Sequence, residues 1–133
     1  MSHSNMTERG FEVGLAVGFV ASHVMEGMEG PEGVLHEHDY EVEAVVGRAE
    51  LDDLGMVCDL DLLADALERL RGEVEGKNLE VIRPPEGDSV TVEVFAQWAH
   101  GFLAHALAPT AAEWLGVRVW ESDVAFGGFR DLL

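Results

Sequence analysis

The sequence predicts an α+β domain in which an antiparallel sheet carries two helices on one face. Two long segments near the N-terminus alternate apolar and polar residues with a period of two. Two later segments repeat apolar residues at intervals of three and four, and two short alternating segments close the chain. Strands and helices that are grouped in this way, rather than alternating one by one, are typical of α+β domains.

The composition is compatible with one domain. The chain has 133 residues, of which 47% are apolar, and this is enough for a single hydrophobic core. Residues 1–10 are polar and unpatterned, so we expect a flexible N-terminal tail. Residues 11–133 are expected to form the single domain.

The first two strands are predicted around three histidines. Apolar residues alternate from Phe11 to Ala21, and the same alternation places His23 on the apolar face. After a glycine-rich loop at 25–33, a second alternating segment begins with His36 and His38 on one face and acidic residues on the other. A hairpin connection at 47–55 and a short returning strand at 56–58 are expected to follow.

Capping residues and apolar spacing predict the two helices. Asp59 is placed to cap the first helix, which has apolar positions at Leu60, Leu63, Leu67, Leu70 and Val74 and a stop at Gly76. Ser89 or Thr91 is placed to cap the second, whose buried stripe is expected to comprise Val92, Phe95, Ala96, Ala99, Phe102, Leu103 and Ala106. Final strands are predicted at 117–122 and 124–129.

The three histidines form a candidate metal site. Two imidazoles two residues apart on a strand point to the same side and suit adjacent corners of a tetrahedral zinc ion. His23 on a neighbouring strand would supply the third nitrogen and leave one coordination position open, as in catalytic zinc sites. The alternative is that these histidines are hydrogen-bonded core residues. His100 and His105, five residues apart on the second helix, do not share a face and are expected to have no such role.

The charge balance excludes one class of partner. Eight Lys and Arg stand against 26 Asp and Glu, the opposite of what a nucleic-acid backbone requires. No segment has the roughly 18 uninterrupted apolar residues of a membrane helix, and no secretory signal is evident, so we expect no membrane association and a cytoplasmic location. The lone cysteine, Cys58, lies in an apolar stretch and is expected to be a buried free thiol.

Four motifs in order resemble the 6-pyruvoyl-tetrahydropterin synthase family, which includes the 6-carboxytetrahydropterin synthases. They are residues 19–23 (FVASH), 36–40 (HEHDY), 55–59 (GMVCD) and 117–122 (VRVWES). The resemblance implies the tunnelling fold, a four-stranded antiparallel sheet with two helices that closes into a barrel as a homo-oligomer, either a trimer or a hexamer. It also implies zinc on His23, His36 and His38, a pterin-like substrate, and Glu121 as the residue that binds the pterin ring.

Two departures from the family pattern concern catalysis. The family's reactive cysteine is replaced here by Glu32, and a branch of the family with glutamate in this position forms a 6-hydroxymethyl product. The family's Asp-His pair reads Glu75-Gly76, so the imidazole of the proton relay is missing. Glu32 is therefore a candidate base, although both Glu32 and Glu121 could equally be ordinary surface acids in so acidic a chain.

Three interpretations remain open at this stage. The first is a zinc-dependent lyase that acts on a reduced pterin, such as dihydroneopterin triphosphate, or on a related heterocycle. The second is a homologue that binds a pterin-like or nucleobase-like ligand without catalysis, because the relay is lost. The third is a structural zinc that holds an oligomer together.

Overall fold

The computed structural model describes residues 9–25, 27–87 and 89–133. The elements are β1 (Phe11–His23), β2 (His36–Arg48), α1 (Leu60–Val74), α2 (Val92–Ala106), β3 (Trp114–Trp120) and β4 (Phe126–Leu132), with 3-10 turns at Gly30–Gly33 and Leu79–Ile82. The strands form one antiparallel sheet in the order β1-β2-β3-β4. The predicted α+β class is confirmed. Most of the expected N-terminal tail, residues 1–8, lies outside the described residues.

One face of the sheet is buried beneath the helices. β1 and β2 pair over their whole length, from Phe11 opposite Arg48 to His23 opposite His36. Period-two alternation directs every second side chain toward α1 and α2, and Val42 and Val119 are completely buried there. The core lies between this face and the two helices. The opposite face of the sheet is open.

Both helices begin at the predicted caps. The Asp59 carboxylate accepts a hydrogen bond from the backbone N–H of Asp61 at 2.8 Å, and the Thr91 hydroxyl accepts one from Val94 at 3.1 Å. Each helix buries one stripe, formed by Leu63, Ala66, Leu67, Leu70 and Val74 in α1 and by Phe95, Ala96, Ala99, His100 and Leu103 in α2. Leu60, an apolar position of the predicted stripe, is exposed, and it is the first residue of α1.

The predicted strand at 56–58 is wrong. Val57 and Cys58 are buried, but they lie in a loop. The carboxylate of Asp52 accepts hydrogen bonds from the N–H groups of Leu54 and Met56, and the Asp52 N–H donates to the Met56 carbonyl. A local turn therefore satisfies both the N–H and the carbonyl of Met56 without a ladder partner.

The boundaries of the last two strands also differ from the prediction. β3 begins at Trp114 and ends at Trp120, while β4 covers Phe126–Leu132. Residues 114–116 alternate only weakly between apolar and polar side chains. They are nevertheless part of β3, because they pair with β2 on one side and with β4 on the other. Among the described residues, no helix is long and apolar enough to cross a bilayer.

Candidate metal centre

The register of the first hairpin brings the three predicted histidines together. His23 lies opposite His36, and His38 lies opposite Ala21, so all three side chains share the helix-facing side of the sheet. The ring centroids of His23 and His36 are 4.5 Å apart, those of His23 and His38 are 5.2 Å apart, and those of His36 and His38 are 4.7 Å apart. One nitrogen from each ring can be chosen so that all three lie within 4.8 Å of one another.

The hydrogen bonding of these rings leaves free nitrogens inside the cluster. His36 Nδ1 is 2.6 Å from the carbonyl oxygen of Val34, and donation to that oxygen leaves the Nε2 lone pair available. The Nε2 atoms of all three histidines, and Nδ1 of His23, are buried and have no hydrogen-bond partner. Burying polar atoms without partners is unfavourable, so the donor set fits a metal ion better than a hydrogen-bonded core. Three imidazole nitrogens suit zinc.

The environment of His23 keeps its ring neutral. His23 is one of two buried polar residues in the described part of the chain, and it is only 6% exposed. Burial is the main factor that lowers the pKa of His23, followed by the neighbouring His36 and His38 rings. A neutral imidazole has the lone pair that a metal ligand requires.

Glu32 lies beside the histidines on the Gly30–Gly33 turn. Its Oε2 atom is 3.7 Å from His36 Nε2, and its side chain is half exposed. The loop that carries it folds back on itself, because the Met25 N–H donates to the Glu32 carbonyl at 2.7 Å. The carboxylate therefore lies next to both the cluster and solvent, where it can exchange protons.

Glu121 lies in a groove next to the same cluster. β3 pairs with β2 only from Glu41 onward, so the first residues of β2 have no neighbour on that side. The resulting groove has a volume of about 670 Å³ and is lined by Gly18, Glu37, His38, Asp39, Tyr40, Glu41, Trp120, Glu121, Ser122 and Asp123. Glu121 is not in the strand as expected, but follows its last residue, and its N–H donates to the Ala125 carbonyl.

Tyr40 is a further groove residue, and the sequence patterns predict no role for it. It is 3% exposed, and its ring centroid is 5.6 Å from that of His38. Burial, and then the carboxylates of Glu121 and Glu32, raise the pKa of Tyr40, so its hydroxyl stays protonated. The alternation that puts Tyr40 on the histidine face was the signal that could have identified it.

Gly76, which stands where the family pattern has the relay histidine, lies along the outer edge of β1. The Gly76 N–H donates to the Val20 carbonyl at 2.7 Å, and the Ser22 N–H donates to the Lys77 carbonyl at 3.0 Å. A Cβ on Gly76 would meet nothing within 4 Å. At Gly76 the chain therefore presents no side chain to the histidine cluster.

His100 and His105 do not replace that residue. The His100 ring packs against the Phe129 ring on β4. Phe129 lies opposite Val117 on β3, and Val117 lies opposite Ala44 on β2. Ala44 is six residues along β2 from His38, a distance of roughly 20 Å at the usual rise of a strand. His105 is exposed and lies farther along α2 in the same direction.

The chain matches the family model of 6-pyruvoyl tetrahydropterin synthase over residues 12–131. Among solved structures, a Plasmodium falciparum 6-pyruvoyl tetrahydropterin synthase is 15% identical with a TM-score of 0.78, covering 94% of this chain and 99% of that one. The Caenorhabditis elegans enzyme is 17% identical with a TM-score of 0.72, covering 92% and 96%. A Plasmodium vivax enzyme in which a catalytic glutamate is changed to cysteine is 15% identical with a TM-score of 0.74, covering 92% and 99%. No curated protein matches the sequence.

Proposed function

The chain belongs to the 6-pyruvoyl tetrahydropterin synthase family, and we propose that it is a zinc-dependent lyase acting on a reduced pterin such as dihydroneopterin or its triphosphate, or on a related heterocycle. The observation that carries this proposal is the convergence of three imidazoles with unpartnered nitrogens beside a carboxylate, Glu32. His38 also lines a groove of about 670 Å³, which is large enough for a bicyclic ring and supports the proposal.

In the proposed site, His23, His36 and His38 hold the zinc ion. Zinc, when bound, supplies a Lewis acid that polarises the oxygens of the substrate side chain. His36 is held in the required tautomer by the Val34 carbonyl. The neutral state of His23 means that no proton has to be displaced from this ring when metal binds.

Glu32 is the proposed general base. Its carboxylate lies 3.7 Å from His36 Nε2 and retains contact with water through its exposed side. A proton taken from the substrate side chain can therefore pass to solvent. The catalytic glutamate of the Plasmodium vivax enzyme supports this role for a carboxylate in a protein of the same fold.

Glu121 is the proposed anchor for the pterin ring. The amino and ring N–H groups of an amino-pyrimidine are donors, and a carboxylate is the matching acceptor. Glu121 shares the groove with His38 and Tyr40, so a ring bound by Glu121 directs its side chain toward the histidines. The protonated Tyr40 hydroxyl offers a further donor in the groove.

The groove favours a substrate without phosphates. Five carboxylates line it, from Glu37, Asp39, Glu41, Glu121 and Asp123, and no Lys or Arg is among its described lining residues. A triphosphate would meet like charges there at short range. The dephosphorylated pterin is thus the preferred form in this proposal.

Homo-oligomerisation, as a trimer or hexamer, is part of the proposal. β1 and β4 are the edge strands of the sheet. Apart from the bonds of Val20 and Ser22 to residues 76 and 77, their outer edges are sites where a strand of another chain can add. Apolar side chains are exposed near the metal cluster, including Val20, Val34 and Leu35. Both features suit burial against neighbouring subunits.

A second candidate function is ligand binding without catalysis. Gly76 provides no proton relay, and His100 and His105 are far from the cluster. A protein of this kind would retain Glu121 and the groove but would not convert the pterin. Tight binding without turnover, unaffected by Glu32→Ala, would support it.

Incubation of the zinc-loaded protein with dihydroneopterin and with its triphosphate tests the proposed enzyme. Chromatography of the fluorescent pterins should reveal a shortened side chain in at least one reaction. Protein treated with a chelator and the Glu32→Gln variant should both form little product. Absence of product from both substrates would overturn the proposed activity, and dissociation of the oligomer on zinc removal would instead indicate a structural zinc.

A further inference from the structure

Tyr40 lies on β2 between the histidine cluster and Glu121. His38 is two residues earlier on the same strand, and its ring centroid is 5.6 Å from that of Tyr40. On the other side, Glu41 pairs with Trp120, the last residue of β3. Tyr40 and Glu121 are the next residues beyond this pair, so they lie side by side where the ladder ends. A molecule that extends from Glu121 to the histidines therefore passes Tyr40.

Two phenylalanines hold the Tyr40 ring in place. Its ring centroid is 6.0 Å from that of Phe19 on β1 and 5.7 Å from that of Phe95 on α2. All three residues belong to the hydrophobic core. Close packing on both sides restricts the ring to one orientation, so the core determines where its hydroxyl lies.

The packing of the Tyr40 ring does not by itself require a hydroxyl. A phenylalanine would make the same ring contacts, whereas a buried tyrosine hydroxyl usually has a hydrogen-bond partner. Among the described residues, no side-chain hydrogen bond involves the Tyr40 hydroxyl. The hydroxyl is also not one of the fully buried polar atoms that lack a partner, so it reaches space that a ligand can enter. It is therefore available to a bound molecule.

The carboxylates near Tyr40 are acceptors. Glu32 lies beside the histidines and Glu121 lies in the groove, and an ionised carboxylate only accepts hydrogen bonds. Gly76 contributes no side chain. The phenolic hydroxyl of Tyr40 is a donor, so an oxygen of a ligand that lies between the two carboxylates can bind there.

We propose that the Tyr40 hydroxyl donates a hydrogen bond to the first oxygen of the pterin side chain, and so selects pterins with an oxygen on the carbon next to the ring. This inference rests on the proposed function, because it takes the pterin ring to be bound by Glu121. With the ring at Glu121 and the rest of the side chain at the histidines, that carbon is the part of the substrate beside Tyr40. The hydroxyl acts as a neutral donor, and no proton leaves it.

Two pterins that differ in a single oxygen test this contact. 6-Hydroxymethylpterin has the oxygen and 6-methylpterin lacks it, and both are fluorescent, so each can be titrated with purified protein. Wild-type protein should bind 6-hydroxymethylpterin roughly 2- to 10-fold more tightly, the effect of one neutral hydrogen bond. Tyr40→Phe keeps the ring packing and should keep the Tm and the affinity for 6-methylpterin, but should lose the preference.

Two control variants separate this contact from general effects on the site. Thr110→Val removes a hydroxyl that donates to the Leu107 carbonyl beyond the end of α2, and it should retain the preference. Glu121→Gln should weaken the binding of both pterins alike, because the ring is common to them. A Thr110→Val protein that also lost the preference would show that removal of any hydroxyl has this effect, and would contradict a specific role for Tyr40.

A spectroscopic measurement does not depend on any variant. Tyr40 is the only tyrosine in the chain, so protein made with 3-fluorotyrosine has a single fluorine-19 NMR signal. This signal should shift more with 6-hydroxymethylpterin than with 6-methylpterin. Equal affinity of wild-type protein for the two pterins, a preference that survives in Tyr40→Phe, or equal shifts of the signal would overturn the role of Tyr40 without contradicting the pterin site. Failure of wild-type protein to bind either pterin would refute the pterin site itself.

Discussion

His23 and His36 face each other across the first hairpin, with ring centroids 4.5 Å apart, and neither ring nitrogen of His23 has a hydrogen-bond partner. In a hairpin of 13 paired residues on each strand, these two are the last pair before the connecting loop. The candidate metal site is therefore at the end of the sheet, next to the loop that connects β1 and β2.

Zinc binding should depend on these imidazoles. We expect one zinc per chain by elemental analysis of wild-type protein. His38→Ala should lower the affinity by more than the roughly 10- to 100-fold that loss of an outer-sphere partner causes. His105→Ala removes an exposed imidazole on α2 and should leave affinity unchanged. Equal zinc content in both variants would contradict the assignment.

Glu32→Gln should reduce turnover while leaving zinc content intact. General-base catalysis contributes about 10²- to 10⁴-fold, and the amide cannot accept the proton. Glu29→Gln, in the same loop and also exposed, is the matched control and should retain activity. The measurement is kcat with the pterin that wild-type protein converts. A Glu32→Gln protein as active as the control would exclude the carboxylate as the base.

Dihydroneopterin should be the better substrate than its triphosphate. The five groove carboxylates repel the phosphates, so kcat/KM for the triphosphate should be lower and should rise with added salt, which screens the repulsion. Glu41→Gln should raise kcat/KM for the triphosphate more than for dihydroneopterin. A preference for the triphosphate at low salt would disprove the predicted repulsion between the groove carboxylates and the phosphates. It would not contradict the proposed type of reaction.

Cys58 should take no part in catalysis. It lines a hollow with Phe11 at the start of β1, and His23 is twelve residues along that strand, roughly 40 Å away. Burial, and then the carboxylate of Asp59, raise the pKa of the Cys58 thiol, so it remains protonated at pH 8. Cys58→Ser should keep kcat, and wild-type protein should react with a thiol reagent only slowly until it is unfolded. Rapid reaction of the folded protein would contradict this.

Two glycine substitutions should change stability in opposite directions. Gly76 has φ +72°, so Gly76→Ala forces an L-residue into the left-handed region and should lower the free energy of unfolding by about 1–2 kcal/mol. Gly72 lies in the interior of the α1 sequence, is exposed to solvent, and has nothing within 4 Å of an added Cβ. Gly72→Ala should therefore raise the free energy of unfolding by about 0.5–1 kcal/mol. Urea denaturation measures both.

Much of the fold could be predicted because it depends on neighbours in sequence. The alternation that puts His36 and His38 on one face, and the caps at Asp59 and Thr91, are local features, and the structure has each of them. The strand at 56–58 failed because a side-chain turn at Asp52 competed successfully with strand pairing. Local pattern alone does not indicate which of the two prevails.

The sequence by itself determined which residues share a face: the two histidines of β2, the apolar stripes of the helices, and the absence of a side chain at Gly76. Only the tertiary structure decided which residues meet across strands, such as His23 with His36 and Gly116 with Arg130. The physical reason is that side-chain direction follows from backbone geometry within a few residues, whereas strand register depends on the summed packing of segments far apart in the chain.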